Sequence, residues 1–513
     1  MKNYILILSI SIFSCFWLNS CLVDEGTYDY KNSNEFFVDT IGKQVKFTVK
    51  QFSNLVVNSN LVYSEDKKDL TFKWSLYLPS TYILGASKYP AAISHGFDRD
   101  DFRNYEISVN ENLSQPITAI PGSYILQFEA TNTKTGLTTM MKYTVVVEGT
   151  VPKGLVVIYK GVSSIDIDVI NTPILNSEVV ETFHEKNLYT RGNSIPFNGN
   201  PRSCLYVSTG NFIYVASDID AKRLSRVDMV VANEFNEIFY ETPANKDFYM
   251  LRSNFIINDG KFYKMFASGS PFFMGPVDMK DNDTYYAAPF ALFTSGGHAL
   301  TYDQNKMRFL YTGMYDGFSQ QVAALGTHFL FKNVGKKMIY GSVGYDSGLA
   351  SVAYCIFKNP IDDGKRYLYV FRTATSHSAY QTQGAFNLAM APLVESAEFW
   401  AFGERGPVVF YSTKNKIYKL NYTLSNGVTG ADETLSFAGS EEITFMKLFK
   451  YNGISLPVVA KDKYLMVGTY NSSTKIGKLY IYESDISNGQ VSKTPVASYT
   501  ISGKIADVDF IDS

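Results

Sequence analysis

The chain has 513 residues, of which 45% are hydrophobic and 15% aromatic. This length predicts two or three domains, and the composition supplies enough apolar side chains for large cores. The 47 basic and 49 acidic residues give a net charge of −2, so the chain has no basic field of the kind that binds nucleic acid.

The first 20 residues are typical of a secretory signal. A lysine is followed by an almost entirely apolar run at residues 4–18, and the small residue Ser20 precedes Cys21. The run is shorter than the ~20 residues that a membrane-spanning helix needs. Residues 18–21 resemble a bacterial lipobox, in which the signal is cut before the cysteine and the new N-terminal cysteine carries the lipid.

This cleavage predicts a mature protein that the lipid on Cys21 holds on the outer membrane. Asp24 and Glu25 follow closely, which resembles the acidic signal of lipoproteins that face the cell exterior. Residues 21–39 form the tether in this interpretation. A cut before Cys15 and an uncleaved anchor are the two alternatives.

Short apolar runs, many of them alternating with polar residues, recur along the rest of the chain and indicate an all-β protein. Residues 40–149 predict an immunoglobulin-like β-sandwich, with Trp74 buried in the middle of a strand. A turn at Pro121 and Gly122 precedes the last two strands. The predicted strands are residues 44–49, 70–76, 105–109, 123–132 and 138–148.

Residues 150–513 predict a β-propeller of about seven blades. A glycine, asparagine or aspartate, usually followed by lysine, opens an apolar and aromatic strand at intervals of mostly 40 to 60 residues, the length of a four-stranded blade. The repeated segments are residues 210–215, 260–265, 305–310, 337–340, 415–420, 462–467 and 477–482. The last strand, near residues 503–510, is expected to complete the first blade and close the ring. A large sandwich, or two further sandwiches, is the rival architecture.

The sequence contains no specific catalytic motif, and we expect no cofactor and no metal. The histidines are at positions 95, 184, 298, 328 and 377, and no two lie within ten residues of each other. Paired aspartates occur at 166/168, 218/220, 281/283 and 507/509, of which Asp281-Asn282-Asp283 is the best calcium candidate. Cys204 and Cys355 could pair, although two unpaired buried thiols are favoured.

Several loops combine aromatic rings, which give rigid contact area, with amides and hydroxyls, which give directed hydrogen bonds. Such loops suit an oligosaccharide or an extended peptide. At each single position, packing is the commoner role of Tyr and Phe. The predicted ligand contacts are Tyr285, Tyr286, His298, Tyr315, Phe318, His377 and Tyr380.

Taken together, these features resemble the PKD-like family of surface lipoproteins of Gram-negative bacteria. The features are the lipobox, the acidic residues after it, the Thr-Tyr-Asp-Tyr at residues 27–30, the sandwich end at 121–147 and the β-repeats. The resemblance implies a gene neighbourhood with a TonB-dependent importer and its SusD-like lid lipoprotein. It also implies nutrient capture at the cell surface, and it supplies no catalytic residues.

Two functions remain open on this basis. The first is a non-catalytic accessory lipoprotein of the importer, which binds an oligosaccharide or a peptide or docks on the transporter. The alternative is a propeller enzyme that acts on glycans as a hydrolase or lyase, because propeller scaffolds also host enzymes. A buried carboxylate pair in the central channel would favour the enzyme, and an aromatic platform would favour the binder.

Overall fold

The computed structural model describes residues 36–512, apart from 64–66, 78–105, 120, 150, 209–211, 253–254, 266–271, 295–296 and 346–351. Strands make up 53% of the chain and helices 3%, which confirms the all-β class. Cys21 and nearly all of the predicted tether lie outside the described residues.

The N-terminal domain is a β-sandwich of nine strands in its described part. A five-stranded sheet runs in the order β2-β9-β8-β5-β6, and two strand pairs, β1–β4 and β3–β7, complete the domain. The strands are β1 Phe36–Val38, β2 Lys46–Lys50, β3 Asn54–Val57, β4 Leu61–Tyr63, β5 Leu70–Tyr77, β6 Glu106–Ser108, β7 Leu113–Pro116, β8 Gly122–Asn132 and β9 Thr138–Glu148.

Trp74 lies at the centre of the sandwich core, as predicted. Its ring packs 4.7 Å from the ring of Phe128, and its indole N–H donates to the carbonyl of Asn110 at 2.9 Å. Phe36 of β1 is buried in the same core. Among the described residues the sandwich therefore includes Phe36, ahead of the predicted residue 40, because this short strand pairs with β4 and contributes to the core.

Seven sheets follow in the described residues from Gly154 onward, and their number equals the predicted number of blades. Their strands are β10 Gly154–Lys160, β11 Ile165–Asn171, β12 Phe183–Glu185, β13 Pro201–Val207, β14 Phe212–Ser217, β15 Ala221–Ser225, β16 Val231–Asn233, β17 Phe248–Arg252, β18 Phe255–Asn258, β19 Lys261–Lys264, β20 Asp278–Met279, β21 Ala287–Phe293, β22 Ala299–Asp303, β23 Arg308–Thr312, β24 Phe318–Gln321, β25 Lys337–Gly344, β26 Val352–Lys358, β27 Arg366–Arg372, β28 Gln381–Asn387, β29 Phe399–Phe402, β30 Val409–Ser412, β31 Lys416–Thr423, β32 Gly427–Ser436, β33 Glu441–Leu448, β34 Tyr464–Asn471, β35 Ile476–Glu483, β36 Ala497–Ile501 and β37 Lys504–Ile511.

The order of strands defines sheets 1 to 7. Sheet 1 is β37-β10-β11-β12, and sheets 2 and 3 are β13–β16 and β17–β19. Sheet 4 is β21–β24 with β20 added at its outer edge, and sheets 5, 6 and 7 are β25–β28, β29–β32 and β33–β36. Within each sheet the strands from β10 onward are antiparallel, except for the β20–β24 pair.

The ring is closed by the last strand, as the sequence predicted. β37 pairs with β10, with Leu155 opposite Phe510 and Val157 opposite Val508. The first strand of each sheet contacts the first strand of the next, through β37, β13, β17, β21, β25, β29, β33 and back to β37. This arrangement is a β-propeller, and the rival sandwich architecture is wrong.

Helices are short in the described chain. One α-helix, α1, spans Leu188–Gly192, and 3-10 turns occur at Lys67–Asp69, Phe235–Glu237 and Val394–Ser396. None of the helices in this part of the chain has the length and apolar character that crossing a bilayer requires.

The loops of the propeller alternate between two ends of the ring, because neighbouring strands are antiparallel. In the propeller sheets, the loop between the first and second strands and the loop between the third and fourth strands lie at the same end of the ring. The sandwich contacts this end. There the Gln51 amide donates to Asp228 at 3.4 Å, and the Arg226 guanidinium donates to the carbonyl of Val151 at 3.1 Å. We call this end the sandwich-side face and the other end the opposite face.

Candidate functional site

The tyrosines at 285 and 286 precede β21 and lie on the opposite face. Tyr285 is buried, and its hydroxyl donates to the carbonyl of Val277 at 2.6 Å and accepts from the amide of Phe262 at 3.2 Å. Tyr286 is partly exposed and covers Gly260, where an added Cβ would lie 2.3 Å from its ring. The predicted ligand contact at Tyr285 is therefore corrected to a packing role.

The other predicted residues lie on three loops of the sandwich-side face. His298 precedes β22, and Tyr315 belongs to the β23–β24 connection, which Phe318 follows as the first residue of β24. His377 and Tyr380 belong to the β27–β28 connection. Sheets 4 and 5 are neighbours in the ring, so these loops are adjacent although the residues span more than 80 positions.

Tyr311 joins the histidines of this cluster. Its hydroxyl lies 2.7 Å from Nδ1 of His298 and 2.8 Å from the carbonyl of Thr375, and its ring is 6.1 Å from that of His377. The carbonyl can only accept, so the hydroxyl proton goes to Thr375. His298 then donates from Nδ1 to the Tyr311 oxygen, which leaves Nε2 of the neutral imidazole as an acceptor.

Tyr380 belongs to the core beneath this cluster. It is buried, and its ring packs 5.9 Å from Phe331 and 6.3 Å from Phe371. The expectation that it contacts ligand is corrected to a packing role, since its neighbours cover the ring.

The residues left at the surface lie on neighbouring loops, which we call the His298–Tyr315 loops and define as His298, Tyr315, Phe318 and His377. Tyr315 is 80% exposed, whereas the other three are half-buried. The ammonium of Lys280 lies 5.3 Å from the centre of the Phe318 ring. Rings, imidazoles and a cation on adjacent loops provide both flat contact area and hydrogen bonding.

A second polar cluster, which the sequence did not reveal, lies where β37 meets its neighbours. Asp507 accepts from the amide of Cys204 at 3.1 Å, and Asp509 accepts from the amide of Tyr206 at 2.6 Å. Both donors belong to β13, the first strand of sheet 2. The inner edge of such a strand has amides without a strand partner, so the two carboxylates join sheet 1 to sheet 2.

Lys447 of β33 supplies the positive charge of this cluster. Its ammonium lies 3.5 Å from a carboxylate oxygen of Asp507 and donates to the carbonyl of Val508 at 3.1 Å. The hydroxyl of Tyr451 donates to Asp509. Sheets 7, 1 and 2 therefore meet at one set of charged groups in the ring interior.

Burial and charge oppose each other in the pKa values of this cluster. Burial raises the pKa of Asp509 above its ordinary value, although Lys447 acts in the other direction. Burial lowers the pKa of Lys447, but the nearby groups, Asp507 and Asp509 first among them, together raise it by more, so it ends above its ordinary value. The Lys447 side chain nevertheless keeps 36% of its surface accessible, as expected for a group that lines a narrow channel.

The best calcium candidate in the sequence is occupied by protein cations. Asp283 forms ion pairs with Lys306 and with Arg308, the latter at 2.8 Å. Across the described ranges, no three His, Cys, Asp or Glu side chains converge closely enough to hold a metal ion. Cys204 and Cys355 are free buried thiols, as the sequence favoured.

Comparison with known proteins supports a PKD-like N-terminal region. A family model described as the PKD-like family matches residues 21–201, which include the whole sandwich. No curated protein matches the sequence. The chain is thus an all-β protein with a PKD-like N-terminal domain and a propeller-type second domain.

Solved structures that resemble the chain are distant from it. A quinonprotein alcohol dehydrogenase-like protein from Bacteroides thetaiotaomicron shares 12% identity at a TM-score of 0.47, over 92% of this chain and 97% of the other. A mutant apocarotenoid oxygenase from Synechocystis shares 10% at 0.43, over 71% and 94%. Hsv2p from Kluyveromyces lactis shares 10% at 0.32, over 61% and 93%. The sheet order described above therefore carries the fold assignment.

Lys447→Met tests the structural role of the charged cluster. The substitution leaves Asp507 and Asp509 without their cation, and because Lys447 is partly exposed we expect a loss of about 1–2 kcal/mol at pH 7 rather than the larger cost of a fully buried pair. Without Lys447 the already raised pKa of Asp509 rises further, so the folded state takes up its proton more readily than the unfolded state. The loss should therefore shrink as the pH falls towards about 4.

Urea unfolding at both pH values measures this effect. Lys358→Met is the matched control, because Lys358 is 37% exposed and pairs with the exposed Asp363 at 2.7 Å. The control should change stability less than Lys447→Met at pH 7. Equal losses in the two variants, or a Lys447→Met loss that is independent of pH, would contradict the role assigned to the cluster.

Proposed function

We propose that this chain is a non-catalytic surface lipoprotein of the outer membrane that binds a nutrient and serves as an accessory component of a TonB-dependent importer with its SusD-like lipoprotein. The observation that carries the binding role is the set of His298–Tyr315 loops. Their rings and imidazoles lie on neighbouring loops, and the Tyr315 side chain is 80% exposed. This combination fits an oligosaccharide or an extended peptide.

The charged cluster in the ring interior favours a structural role over catalysis. A general acid or base must have an oxygen free for the substrate, whereas Asp507 and Asp509 accept from backbone amides and contact Lys447 or Tyr451. The paired carboxylates are also the one observation that favours the alternative, a propeller enzyme acting on glycans. Release of reducing ends from a glycan by the purified protein would support that alternative.

The position of the sandwich supports the importer role. Phe36 lies fifteen positions after Cys21, so a fully extended tether reaches at most ~50 Å from the lipid. The sandwich and the His298–Tyr315 loops lie on the same end of the ring. A ligand held by these loops would then lie on the end of the propeller to which the anchored domain is attached, where a membrane-embedded transporter is accessible.

Lipidation is tested by Cys21→Ser. The variant should lose the acyl chains, which contribute ~0.8 kcal/mol for each buried CH₂, and move from the membrane to the soluble fraction. Cys15→Ser is the matched control and should stay with the membrane. Fractionation and labelling with a fatty-acid analogue measure both. Membrane retention of Cys21→Ser, or release of Cys15→Ser instead, would contradict the anchor.

Ligand capture is tested by Tyr315→Ala. The mature protein is first applied to an array of xylo-, manno-, malto- and galacto-oligosaccharides and of short peptides, and affinity for the strongest binder is then measured by calorimetry. Loss of the exposed ring should weaken binding about tenfold, since one aromatic contact contributes ~1–1.5 kcal/mol. Melting should be unchanged because the ring is 80% exposed.

Tyr240→Ala provides the control for this experiment. Tyr240 is 70% exposed and lies on the opposite face, between sheets 2 and 3. Its removal should leave affinity unchanged. Equal affinity of Tyr315→Ala and the unaltered protein would remove the His298–Tyr315 loops from the binding role.

A further inference from the structure

A cleft of about 550 Å³ opens on the sandwich-side face between sheets 6 and 7. Residues from three connections line it, namely those between β29 and β30, between β33 and β34, and between β35 and β36. Its volume falls within the ~300–1,000 Å³ of small-molecule sites. Arg405, Val458, Val459 and Ile486 are among the lining residues, and none of the described lining residues is aromatic.

Arg405 is held at its backbone, while its side chain has no partner within the described part of the chain. The amides of Glu404 and Arg405 donate to one carboxylate oxygen of Asp462, at 2.5 and 2.7 Å, and Asp462 is itself buried and paired with Lys450 at 2.8 Å. The exposed guanidinium of Arg405 makes no ion pair or side-chain hydrogen bond with any described residue. An arginine whose backbone is held in place, and whose guanidinium has no partner among the described residues, is suited to bind an anion.

The acidic residues of the cleft do not neutralise this cation. Glu483 pairs with Lys463 at 3.1 Å. Asp485 accepts from the hydroxyl of Ser487 at 2.6 Å and from the amides of Ser487 and Asn488, and these bonds hold the pKa of Asp485 below its ordinary value. Asp485 therefore stays ionised, with one oxygen held by its own loop, and Arg405 is the cation of the described lining that has no carboxylate partner.

An apolar wall adjoins the guanidinium. Val458 is 63% exposed and Val459 is 42% exposed. Gly406 packs directly on the backbone at Ile486, where an added Cβ would lie 1.6 Å from the carbonyl oxygen. This contact fixes the Arg405 loop against the β35–β36 connection. The cleft thus presents a rigid cation beside exposed apolar side chains.

We propose that this cleft binds the C-terminal carboxylate of a peptide whose last side chain is small and apolar. Arginine binds a carboxylate through two parallel N–H bonds, and the valines would cover the side chain beside it. A uronic-acid sugar carries the same carboxylate, and its hydroxyls would find polar partners such as Ser484 and Gln490, but it has no apolar side chain to cover the exposed valines. The assignment is independent of the ligand of the His298–Tyr315 loops.

Calorimetry on the mature full-length protein tests this site. The probes are acetyl-Gly-Gly-Ala-Val with a free carboxylate, the same peptide with a C-terminal amide, and tetragalacturonate. We expect the carboxylate peptide to bind and the amide to bind at least about tenfold more weakly, because hydrogen bonds to charged groups contribute ~1.5–3 kcal/mol. Arg405→Gln should weaken the carboxylate peptide to the level of the amide.

Two further variants separate recognition from bulk charge. Lys186→Gln also removes one exposed positive charge, in the β12–β13 connection of the opposite face, and should leave affinity unchanged. Arg405→Lys keeps the charge but not the paired N–H geometry and should bind with intermediate affinity. All variants should melt like the unaltered protein, since the Arg405 side chain has no described partner to lose.

The outcomes decide the proposal. Equal binding of acid and amide, or undiminished binding by Arg405→Gln, would overturn it. Absence of binding by the carboxylate peptide at millimolar concentration would also overturn it. Binding of tetragalacturonate alone, lost in Arg405→Gln, would overturn the peptide assignment and identify a uronate site instead.

Discussion

The propeller depends on the pairing of its last strand with its first sheet. β37 and β10 are more than 340 residues apart in the sequence, yet they pair along almost their whole length. Until this pairing forms, β10 has an open edge, which invites aggregation. Asp507 and Asp509 extend the closure to sheet 2, since they accept amides of β13, and Lys447 links the same point to sheet 7.

Local patterns predicted most of the architecture. The alternation in β8 and β9 and the tryptophan of β5 located the sandwich, and the recurrent turn before an aromatic strand located the propeller sheets. The short strands β1, β3, β4 and β7 were missed, because three or four residues are too few to establish a period of two. β1 forms through its pairing with β4 and the burial of Phe36, neither of which a local pattern records.

The candidate site was predicted only in part, for a physical reason. Loop composition predicted His298, Tyr315 and His377 as ligand contacts, but it could not separate these partly or fully exposed residues from Tyr285 and Tyr380, whose rings are covered by residues distant in sequence. The sequence singled out Asp507 and Asp509 only as one of four aspartate pairs. Their partners lie on β13 and β33, so only the closed ring reveals that they are structural. No pattern in the sequence singles out Arg405, because its proposed role depends on the absence of a partner for its guanidinium among the described residues.

Hydrogen exchange of a chain that ends at Gly503 tests the closure most directly. If β37 holds the ring together, its removal should abolish protection in β10 and β13 and reduce it in the remaining propeller sheets, while β8 and β9 of the sandwich stay protected as in the full chain. Loss of protection confined to β10, with the other six sheets unchanged, would contradict the account, because the propeller would then be stable without closure.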